Sequence, residues 1–449
     1  MSNYIGKLID SRVSLLLALL LILTIFPAGL VTSGEEAAAR TNEEIVDFAD
    51  ENLEEFVREK LELAEDEPIY RSDAAEIEEL RASFREIENL EGLQYLENLR
   101  WLSLWGNEID DLTPLRELKG LNYLNLYNNE IEDLSPLSEL ENLAWLGFIN
   151  NEVSDISPLA GLEQLRTLDI RNNQVDDLSA LENMDHLEWL DFRNNQVEDI
   201  SALEGKTDLH WLDFRNNSVK DLSPLTGLES LRHISAWGNE IDDISPLAEL
   251  ENLETLSLSF NNITDIGPLE GLVNLTYLNL SGNEVEEIDS LQNLTDLVTL
   301  NLNQNEVSDI SALYELNNLE ELWLSNNHID DISPLEDLTD LEILSFNANQ
   351  IRNISPLENL EDLEELRFTG NRVKEIDVLR GLGELREIHM ASNKIKDIQP
   401  LVENYGLEEG AKIYLWENYL ELTDVSPASE HLEVLEERDI EVMYEPQFN

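Results

Sequence analysis

Apolar side chains recur along this chain with a period of 22 residues, and one asparagine marks each repeat. The residue eight positions before that asparagine is always leucine, from Leu99 to Leu385, and the positions two, five and eight residues after it are aliphatic. A fixed period of this length predicts a solenoid, in which each repeat buries its apolar edges against its neighbours. The asparagines are Asn107, Asn129, Asn151, Asn173, Asn195, Asn217, Asn239, Asn261, Asn283, Asn305, Asn327, Asn349, Asn371 and Asn393.

The positions within one repeat predict its local structure. Apolar residues five and three positions before each asparagine alternate with other residues, and a period of two indicates a short strand with apolar side chains facing inward. One strand per repeat gives a parallel sheet on the concave face. Each asparagine follows its strand, so we expect its side chain to bond backbone groups that the sheet leaves unpaired, as a buried structural column.

The second half of each repeat predicts a return on the convex face. Ser or Thr precedes Pro in many repeats, as in Ser135-Pro136, which suggests an N-cap followed by a first-turn proline. The short period leaves room for about one turn of 3₁₀ helix. An aspartate two residues earlier, as in Asp133, fits local turn bonding better than a calcium column, because one carboxylate per repeat does not provide converging ligands.

The ends of the chain depart from the period. We predict a signal peptide or signal anchor over residues 1–34, an acidic linker and helical N-terminal cap over 35–76, repeats over 77–420 including degenerate ends, and a C-terminal cap over 421–449. The cap helix is expected in residues 51–63, where apolar residues such as Leu53 and Val57 share one face. Repeat arrays need such caps to cover their open ends.

The N-terminus has the pattern of an export signal. Lys7 and Arg12 precede an uncharged apolar run over residues 13–31, and small residues follow before acidic sequence begins at Glu35. The run is also long enough to remain as an uncleaved membrane anchor. In both cases the basic flank stays inside, so we expect the repeats to be secreted or displayed at the cell surface.

Composition narrows the classes of partner. Asp and Glu number 96 against 28 Lys and Arg, a formal net charge of −68, and there is no cysteine. A field of this sign repels nucleic acid and anionic lipid, so we expect neither as a partner, apart from a membrane contact through an uncleaved N-terminal segment. Concentrated salt would screen the self-repulsion, which predicts a salt-adapted protein.

The repeat unit, L-x-x-L-x-L-x-x-N-x-I-x-D-I-S-P-L-x-x-L-x-x, has the pattern of a leucine-rich repeat. Together with the segments LEGLQYLENLRWLSLWGNEI and GLEEGAKIYLWENYL, it resembles the internalin-like proteins of bacteria and archaea over residues 45–449. The resemblance implies an α/β solenoid, a horseshoe with a concave parallel sheet, short convex 3₁₀ segments and a helical N-terminal cap. It also implies an extracellular or cell-surface binding module. The chain has no LPxTG-type sorting signal, so covalent attachment to a cell wall is not expected.

Aromatic and basic residues concentrate at outward strand positions of seven consecutive repeats. Because neighbouring strands are about 4.8 Å apart, we expect the rings to form one contiguous surface. Exposed aromatic groups of this extent mark binding surfaces in hydrophilic proteins, although neighbouring rings can also stack on one another only as filler. The predicted ligand-binding residues are Trp101, Trp105, Tyr123, Tyr127, Trp145, Arg171, Trp189, Arg193, Trp211, Arg215 and Trp237.

Within this patch, three repeats read DIRNN, DFRNN and DFRNN, so that aspartates and arginines alternate between strands. Either they neutralise each other in a salt-bridge grid, or the arginines provide donors for a carboxylate, an acidic loop or a sugar. We therefore expect an exported protein that binds a protein partner on the concave sheet, with carbohydrate binding at the cell envelope as the alternative.

No catalytic pattern is present. The six histidines lie in different repeats without metal-ligand spacing, and no nucleophile-elbow or phosphate-binding motif occurs. We expect neither an enzyme nor a cofactor or metal site.

Overall fold

The computed structural model describes residues 43–448, and it divides the chain into two compact units, Met1–Ile45 and Val46–Asn449. The predicted signal or anchor over residues 1–34 lies outside the described residues. In the part that is described, no helix is long and apolar enough to cross a membrane. The repeats and the helices at their ends all lie in the second unit.

Over residues 43–448, seventeen three-residue strands form one parallel sheet, and each strand pairs with the next along the chain. The central residues of paired strands align, as Leu102 does with Leu124. This is the predicted solenoid sheet. The strands are β1 (Glu79–Arg81), β2 (Trp101–Ser103), β3 (Tyr123–Asn125), β4 (Trp145–Gly147), β5 (Thr167–Asp169), β6 (Trp189–Asp191), β7 (Trp211–Asp213), β8 (His233–Ser235), β9 (Thr255–Ser257), β10 (Tyr277–Asn279), β11 (Thr299–Asn301), β12 (Glu321–Trp323), β13 (Ile343–Ser345), β14 (Glu365–Arg367), β15 (Glu387–His389), β16 (Lys412–Tyr414) and β17 (Glu441–Met443).

The convex return consists of short 3₁₀ segments, as predicted. The proline lies in their first turn, but the preceding serine does not cap them: the segment begins at the serine itself, with no side-chain cap bond. The aspartate two residues earlier takes this role, since Asp133 Oδ1 accepts the backbone N–H of Ser135 at 2.8 Å. The segments are Leu93–Tyr95, Thr113–Leu115, Ser135–Leu137, Ser157–Gly161, Ser179–Leu181, Ser201–Leu203, Ser223–Leu225, Ser245–Leu247, Gly267–Leu269, Asp289–Leu291, Ser311–Leu313, Ser333–Leu335, Ser355–Asn359 and Asp377–Arg380.

The repeated asparagines form the predicted structural column. Asn129 Nδ2 donates to the carbonyls of Leu104 and Leu126, both at 3.0 Å, and its Oδ1 accepts the N–H of Ile109 at 3.1 Å. One side chain therefore satisfies backbone groups in two neighbouring repeats, which would otherwise be buried without partners. The column fixes the frame of the sheet and is not a ligand site.

Helices lie at both ends of the array. Helix α1 (Glu51–Leu61) begins with Asp50, whose side chain accepts the N–H of Leu53 at 3.0 Å, and α2 (Arg71–Ala74) precedes β1. Near the other end, α3 (Gln399–Glu403) follows β15, and α4 (Pro427–Glu436) lies between β16 and β17. The domain boundaries at 76 and 420 remain predictions.

Lys206 is a buried basic residue in the convex part of the array. It is 1% exposed, and its Nζ donates to the carbonyls of Glu182 and Met184 at 3.3 Å. Burial lowers the pKa of its ammonium group, against the carboxylates of Asp185 and Glu182, which raise it.

Candidate binding face

The predicted site residues lie on one side of the sheet over β2–β8. In each of these strands the central residue is fully buried, while the first residue is half-buried or exposed. Alternation along the strand therefore brings the predicted residues to a common face, where they form five groups: one aromatic stack on β2–β4, a second on β6–β8, a charge grid on β5–β7, and two aromatic pairs at the edge.

The N-terminal stack consists of Trp101, Tyr123 and Trp145. The ring centroids of Trp101 and Tyr123 are 3.5 Å apart with planes 4° from parallel, and those of Tyr123 and Trp145 are 4.2 Å apart at 16°. Adjacent strands place these rings in register, so each ring covers a face of its neighbour. The stack therefore exposes the edges of its rings rather than their faces.

Gly147 gives Tyr127 the space to join this stack to the next group. A Cβ atom at Gly147 would lie 2.4 Å from Tyr127 Cε1 and 2.7 Å from Trp145 Cη2. With no side chain there, Tyr127 reaches two strands further and donates from its hydroxyl to Asp169 Oδ2 at 2.8 Å. Burial and the adjacent Asp169 charge raise the pKa of Tyr127, which keeps the hydroxyl protonated as a donor.

The charge grid consists of three aspartates that are 2–3% exposed and three arginines that are 23–27% exposed. Arg171 binds its own strand's Asp169 through two hydrogen bonds, of 2.7 and 2.6 Å, and lies 3.5 Å from Asp191 on the next strand. The members are Asp169, Asp191, Asp213, Arg171, Arg193 and Arg215.

The other arginines continue the pattern. Arg193 lies 3.6 Å from Asp191 and 3.1 Å from Asp213, and Arg215 binds Asp213 at 2.7 Å. Burial and the Asp213 carboxylate raise the pKa of Asp191, against the arginines. Of the two interpretations that the sequence left open, the structure shows the salt-bridge grid: the guanidinium groups are already paired, and three charges of each sign leave the middle of this acidic chain locally neutral.

The C-terminal stack consists of Trp189, Trp211 and His233. The centroids of Trp211 and His233 are 3.6 Å apart at 7°, and those of Trp189 and Trp211 are 6.5 Å apart at 15°. Burial lowers the pKa of His233 to about 4, so the ring is neutral at neutral pH. The indole Nε1 of Trp211 is buried and has no hydrogen-bond partner among the described residues.

The other two tryptophans of the predicted site lie beyond the strand ends. Trp105, 40% exposed, packs against Phe84 with centroids 4.6 Å apart at 59°, and Trp237, 37% exposed, packs against Phe260 with centroids 6.0 Å apart at 81°. These tilted pairs do not cover each other's ring faces as the stacks do.

The expectation of one contiguous aromatic surface is therefore partly wrong. Thr167 interrupts the aromatic column between Trp145 and Trp189, and within the stacks the rings do pack on one another. The sequence prediction also missed His233, Gly147, Phe84 and Phe260. His233 occupies the same strand position as the tryptophans, and the two phenylalanines stand directly before the position of the repeated asparagine, so position in the repeat was the available signal.

Further along the sheet the same face changes in character. Arg367 lies over the ring of Trp323 at 5.9 Å and 3.7 Å from Glu387, and His389 stacks on Tyr414 at 4.0 Å. Over residues 43–448, no three His, Cys, Asp or Glu side chains are grouped so that they could hold a metal ion.

Comparisons with known proteins agree on the repeat. The family described as leucine-rich repeats (2 copies) matches residues 97–139, 141–183, 207–249, 251–293, 273–315 and 317–359, which together make up just over half of the chain. Curated proteins give no match.

Three solved structures show the similarity of fold. An internalin (inlF) from Listeria monocytogenes is 29% identical with a TM-score of 0.54, over 84% of this chain and 96% of that one. A leucine-rich repeat protein of Leptospira interrogans is 24% identical with a TM-score of 0.74, over 83% and 97%. The ectodomain of the plant receptor kinase GASSHO1/SCHENGEN3 of Arabidopsis thaliana, solved in complex with Casparian strip integrity factor 2, is 20% identical with a TM-score of 0.62, over 78% and 47%.

Proposed function

We propose that this chain, which belongs to the leucine-rich repeat family, is an exported protein that binds a protein partner through the face formed by β2–β8. The observation that carries the proposal is the pair of aromatic stacks on β2–β4 and β6–β8, together with the neutral charge grid on β5–β7. Large rings at outward positions of a hydrophilic protein are characteristic of interface anchors.

The stacking geometry favours a protein over a glycan at this face. Sugars bind aromatic side chains by packing on ring faces, and here those faces are covered by neighbouring rings, as between Trp101 and Tyr123. The exposed rims carry C–H, N–H and O–H groups, which suit the mixed apolar and carbonyl surface of a protein. The complex of the plant receptor ectodomain is an instance of a leucine-rich repeat domain with a bound partner, although its likeness to this chain extends only to the fold.

The charge grid favours partner binding because its charges cancel, and not because it offers unpaired arginines. Each arginine is held by a buried aspartate, so a partner that covers Arg193 meets an ion pair whose charges already cancel. An unpaired carboxylate would have to lose its hydration on binding, at a cost of several kcal/mol. In a chain of net charge −68, this neutral strip is where a partner surface docks with the smallest desolvation cost.

The buried indole N–H of Trp211 supports the same conclusion. A donor without an acceptor costs about 1–3 kcal/mol, so this arrangement is not the most stable one for folding alone. Residues retained against stability are typical of functional sites.

We also propose that the protein is exported, that it comes from a bacterium or an archaeon, and that it is adapted to concentrated salt. The basic flank and apolar run over residues 7–31 support export, and the excess of carboxylates supports salt adaptation. N-terminal sequencing of the protein from culture medium and membranes tests export; recovery only inside the cell contradicts it. An unfolding midpoint that does not rise from dilute buffer to molar potassium chloride contradicts salt adaptation.

The binding face is tested by capture followed by mapping. The purified repeats are immobilised in molar potassium chloride and exposed to cell-surface proteins of the source organism, and a retained protein is then purified. Hydrogen exchange of the complex is expected to show protection over residues 101–237. Protection confined to the convex segments or to β12–β17 contradicts the proposal.

A further inference from the structure

A second row of asparagines runs along the edge where the chain leaves each strand, and these side chains are exposed. We call this edge the exit edge. Its members stand directly before the structural asparagines, and in all but the first member the Nδ2 donates to the Oδ1 of the preceding repeat at 2.5–2.6 Å. They are Asn128, Asn150, Asn172, Asn194 and Asn216.

Each amide in this row keeps free hydrogen-bonding groups. A primary amide has two N–H donors and two acceptor lone pairs, and the row uses one donor and one lone pair of Asn150, Asn172 and Asn194. One donor and one acceptor per repeat therefore remain for a ligand, spaced by about 4.8 Å along the sheet.

The two ends of the row mirror each other. The next residue in the same repeat position is glycine at both ends, Gly106 and Gly238, and beyond it phenylalanine, Phe84 and Phe260. A Cβ at Gly238 would lie 2.8 Å from Asn216 Oδ1. Glycine therefore leaves the row open at Gly238, whereas the Phe84 ring fills the space above Gly106, where a Cβ would lie 2.5 Å from Phe84 Cδ1. The exposed pairs Phe84–Trp105 and Trp237–Phe260 flank the row.

The flanking phenylalanines are held in a costly conformation. Phe84 has φ 56° and is 63% exposed, and Phe260 has φ 53° and is 49% exposed. A left-handed backbone at a bulky side chain costs about 1–2 kcal/mol, and folding gains little from a ring that stays in water. Other repeats have the same backbone conformation at this position, as at Asn194 and Gln304, so what distinguishes the two ends is the large exposed ring rather than the conformation.

Charge is also low along the centre of the exit edge. The positions that follow the structural asparagines there hold Gln174, Gln196 and Ser218, whereas Glu152 and Glu240 occupy the same position on either side. The adjoining arginines of the sheet are paired in the charge grid. A neutral strip in so acidic a chain points to an uncharged ligand.

We propose that the exit edge binds a linear neutral polysaccharide. Primary amides pair with neighbouring hydroxyls as donor and acceptor at once, and the tilted aromatic pairs leave ring faces open for sugar rings. Trp105 and Trp237 follow strands that are six steps apart, about 29 Å along the sheet. The ligand is therefore a polymer, gripped at two points and hydrogen-bonded between them.

An extended peptide fits the exit edge less well. Its backbone groups that face one side repeat every two residues, about 6.6–6.8 Å, and fall out of step with amides that repeat about every 4.8 Å. This site adjoins the proposed protein-binding face and includes the aromatic pairs at its edge, but it uses ring faces and amides at the strand ends rather than the rims of the two stacks.

Adsorption in molar potassium chloride tests the proposal. The full chain is mixed with insoluble cellulose, chitin, xylan and mannan, and with alginate gel as an acidic control, and the protein left in solution is measured. We expect adsorption to at least one neutral polymer and none to alginate. Adsorption to alginate alone, or to no neutral polymer, overturns the proposal, as does saturable binding to an immobilised library of extended peptides that is lost with the exit-edge substitutions.

Three double variants locate the site: Phe84→Gly with Phe260→Gly, Trp105→Ala with Trp237→Ala, and Asn172→Ala with Asn194→Ala. Each is expected to weaken adsorption at least about tenfold, equivalent to about 1.4 kcal/mol. Glycine adopts positive φ freely, so the first variant keeps its fold, which its unfolding midpoint verifies. Unchanged adsorption of that folded variant contradicts the proposal.

Matched controls separate this site from the protein-binding face. Gln304→Ala with Asn326→Ala changes the same repeat position outside the row and is expected to leave adsorption within about twofold of the parent chain, a difference under 0.5 kcal/mol. Trp189→Ala with Trp211→Ala is expected to keep adsorption while losing the protein partner. Loss of adsorption in either control overturns the exit-edge assignment and leaves the test of the protein-binding face unaffected.

Discussion

The hydroxyl of Tyr127 donates a 2.8 Å hydrogen bond to the buried carboxylate of Asp169, which lies two strands further along the sheet. This bond joins the N-terminal stack to the charge grid, so that aromatic and charged residues form one connected face. Tyr127→Phe removes the donor and leaves a 2%-exposed carboxylate with one partner fewer. We expect the free energy of unfolding to fall by about 1–3 kcal/mol, measured by denaturant unfolding in molar salt. Tyr405→Phe, at an 84%-exposed ring, should change it by less than about 0.5 kcal/mol.

Gly147 is also required for the hydrogen bond between Tyr127 and Asp169. In Gly147→Ala the new methyl group would overlap Tyr127 and Trp145, so one ring must move and the Tyr127–Asp169 bond must break. Overpacking of this kind costs about 1–3 kcal/mol. The comparison is Gly271→Ala, where the nearest atom to the new Cβ is 3.8 Å away. Equal unfolding midpoints for the two variants would show that Gly147 is not needed for packing.

Adjacent asparagines of one repeat have opposite roles, and their substitutions should differ accordingly. Asn195 Nδ2 donates to the carbonyls of Ile170 and Phe192, and its Oδ1 accepts the N–H of Val175, so Asn195→Ala leaves three backbone groups without partners. We expect a loss of at least about 3 kcal/mol. The Asn194 side chain is exposed and bonds only its two neighbours in the row, so Asn194→Ala should cost about 1 kcal/mol, mainly for the left-handed backbone. If Asn194→Ala lost more unfolding free energy than Asn195→Ala, this would contradict the assignment of Asn195 to the structural column and of Asn194 to the exposed row.

His233 should make stability depend on pH. Its pKa in the folded chain is about 4, lowered by burial and by Arg215 and Arg193 against the Asp213 charge, whereas an unfolded histidine has about 6.5. The unfolded chain therefore binds more protons between these values, and stability falls as the pH drops from 6.5 towards 4. His233→Phe keeps an aromatic ring stacked on Trp211 but cannot bind a proton. We expect the unfolding free energy of the variant to fall by about 1–2 kcal/mol less than that of the parent chain between pH 7 and pH 5. The measurement is the difference in unfolding free energy between parent and variant at the two pH values, with exposed His210→Phe as the control; parallel pH profiles would contradict it.

The fold was predictable from the sequence because every repeat gives independent evidence for the same 22-residue unit. Leucines at fixed spacing, the column containing Asn129 and the aspartates before the 3₁₀ segments each have a local physical reason, and the structure confirms them. The predicted serine cap was wrong because capping depends on atomic detail: the Asp133 carboxylate competes for the backbone N–H at the start of the 3₁₀ segment.

The face itself was predictable only in part. The repeat frame gives the side to which Trp189 or Arg193 points, but ring stacking and ion pairing depend on rotamers and on the neighbouring strand. Residue spacing alone does not decide whether Arg171 pairs with Asp169 or with a ligand. It also does not predict that the Tyr127 ring occupies the space above Gly147.

The central claim is that the face formed by β2–β8 binds a protein partner. Its most direct test is the dissociation constant of the captured partner for the parent chain, for Trp189→Ala with Trp211→Ala, and for Trp323→Ala on the distant part of the same sheet. The account predicts that the double variant loses at least about 100-fold in affinity, roughly 2.8 kcal/mol, while Trp323→Ala stays within about threefold, all with comparable unfolding midpoints. Equal affinities for the parent chain and the double variant, or a greater loss in Trp323→Ala, would contradict it.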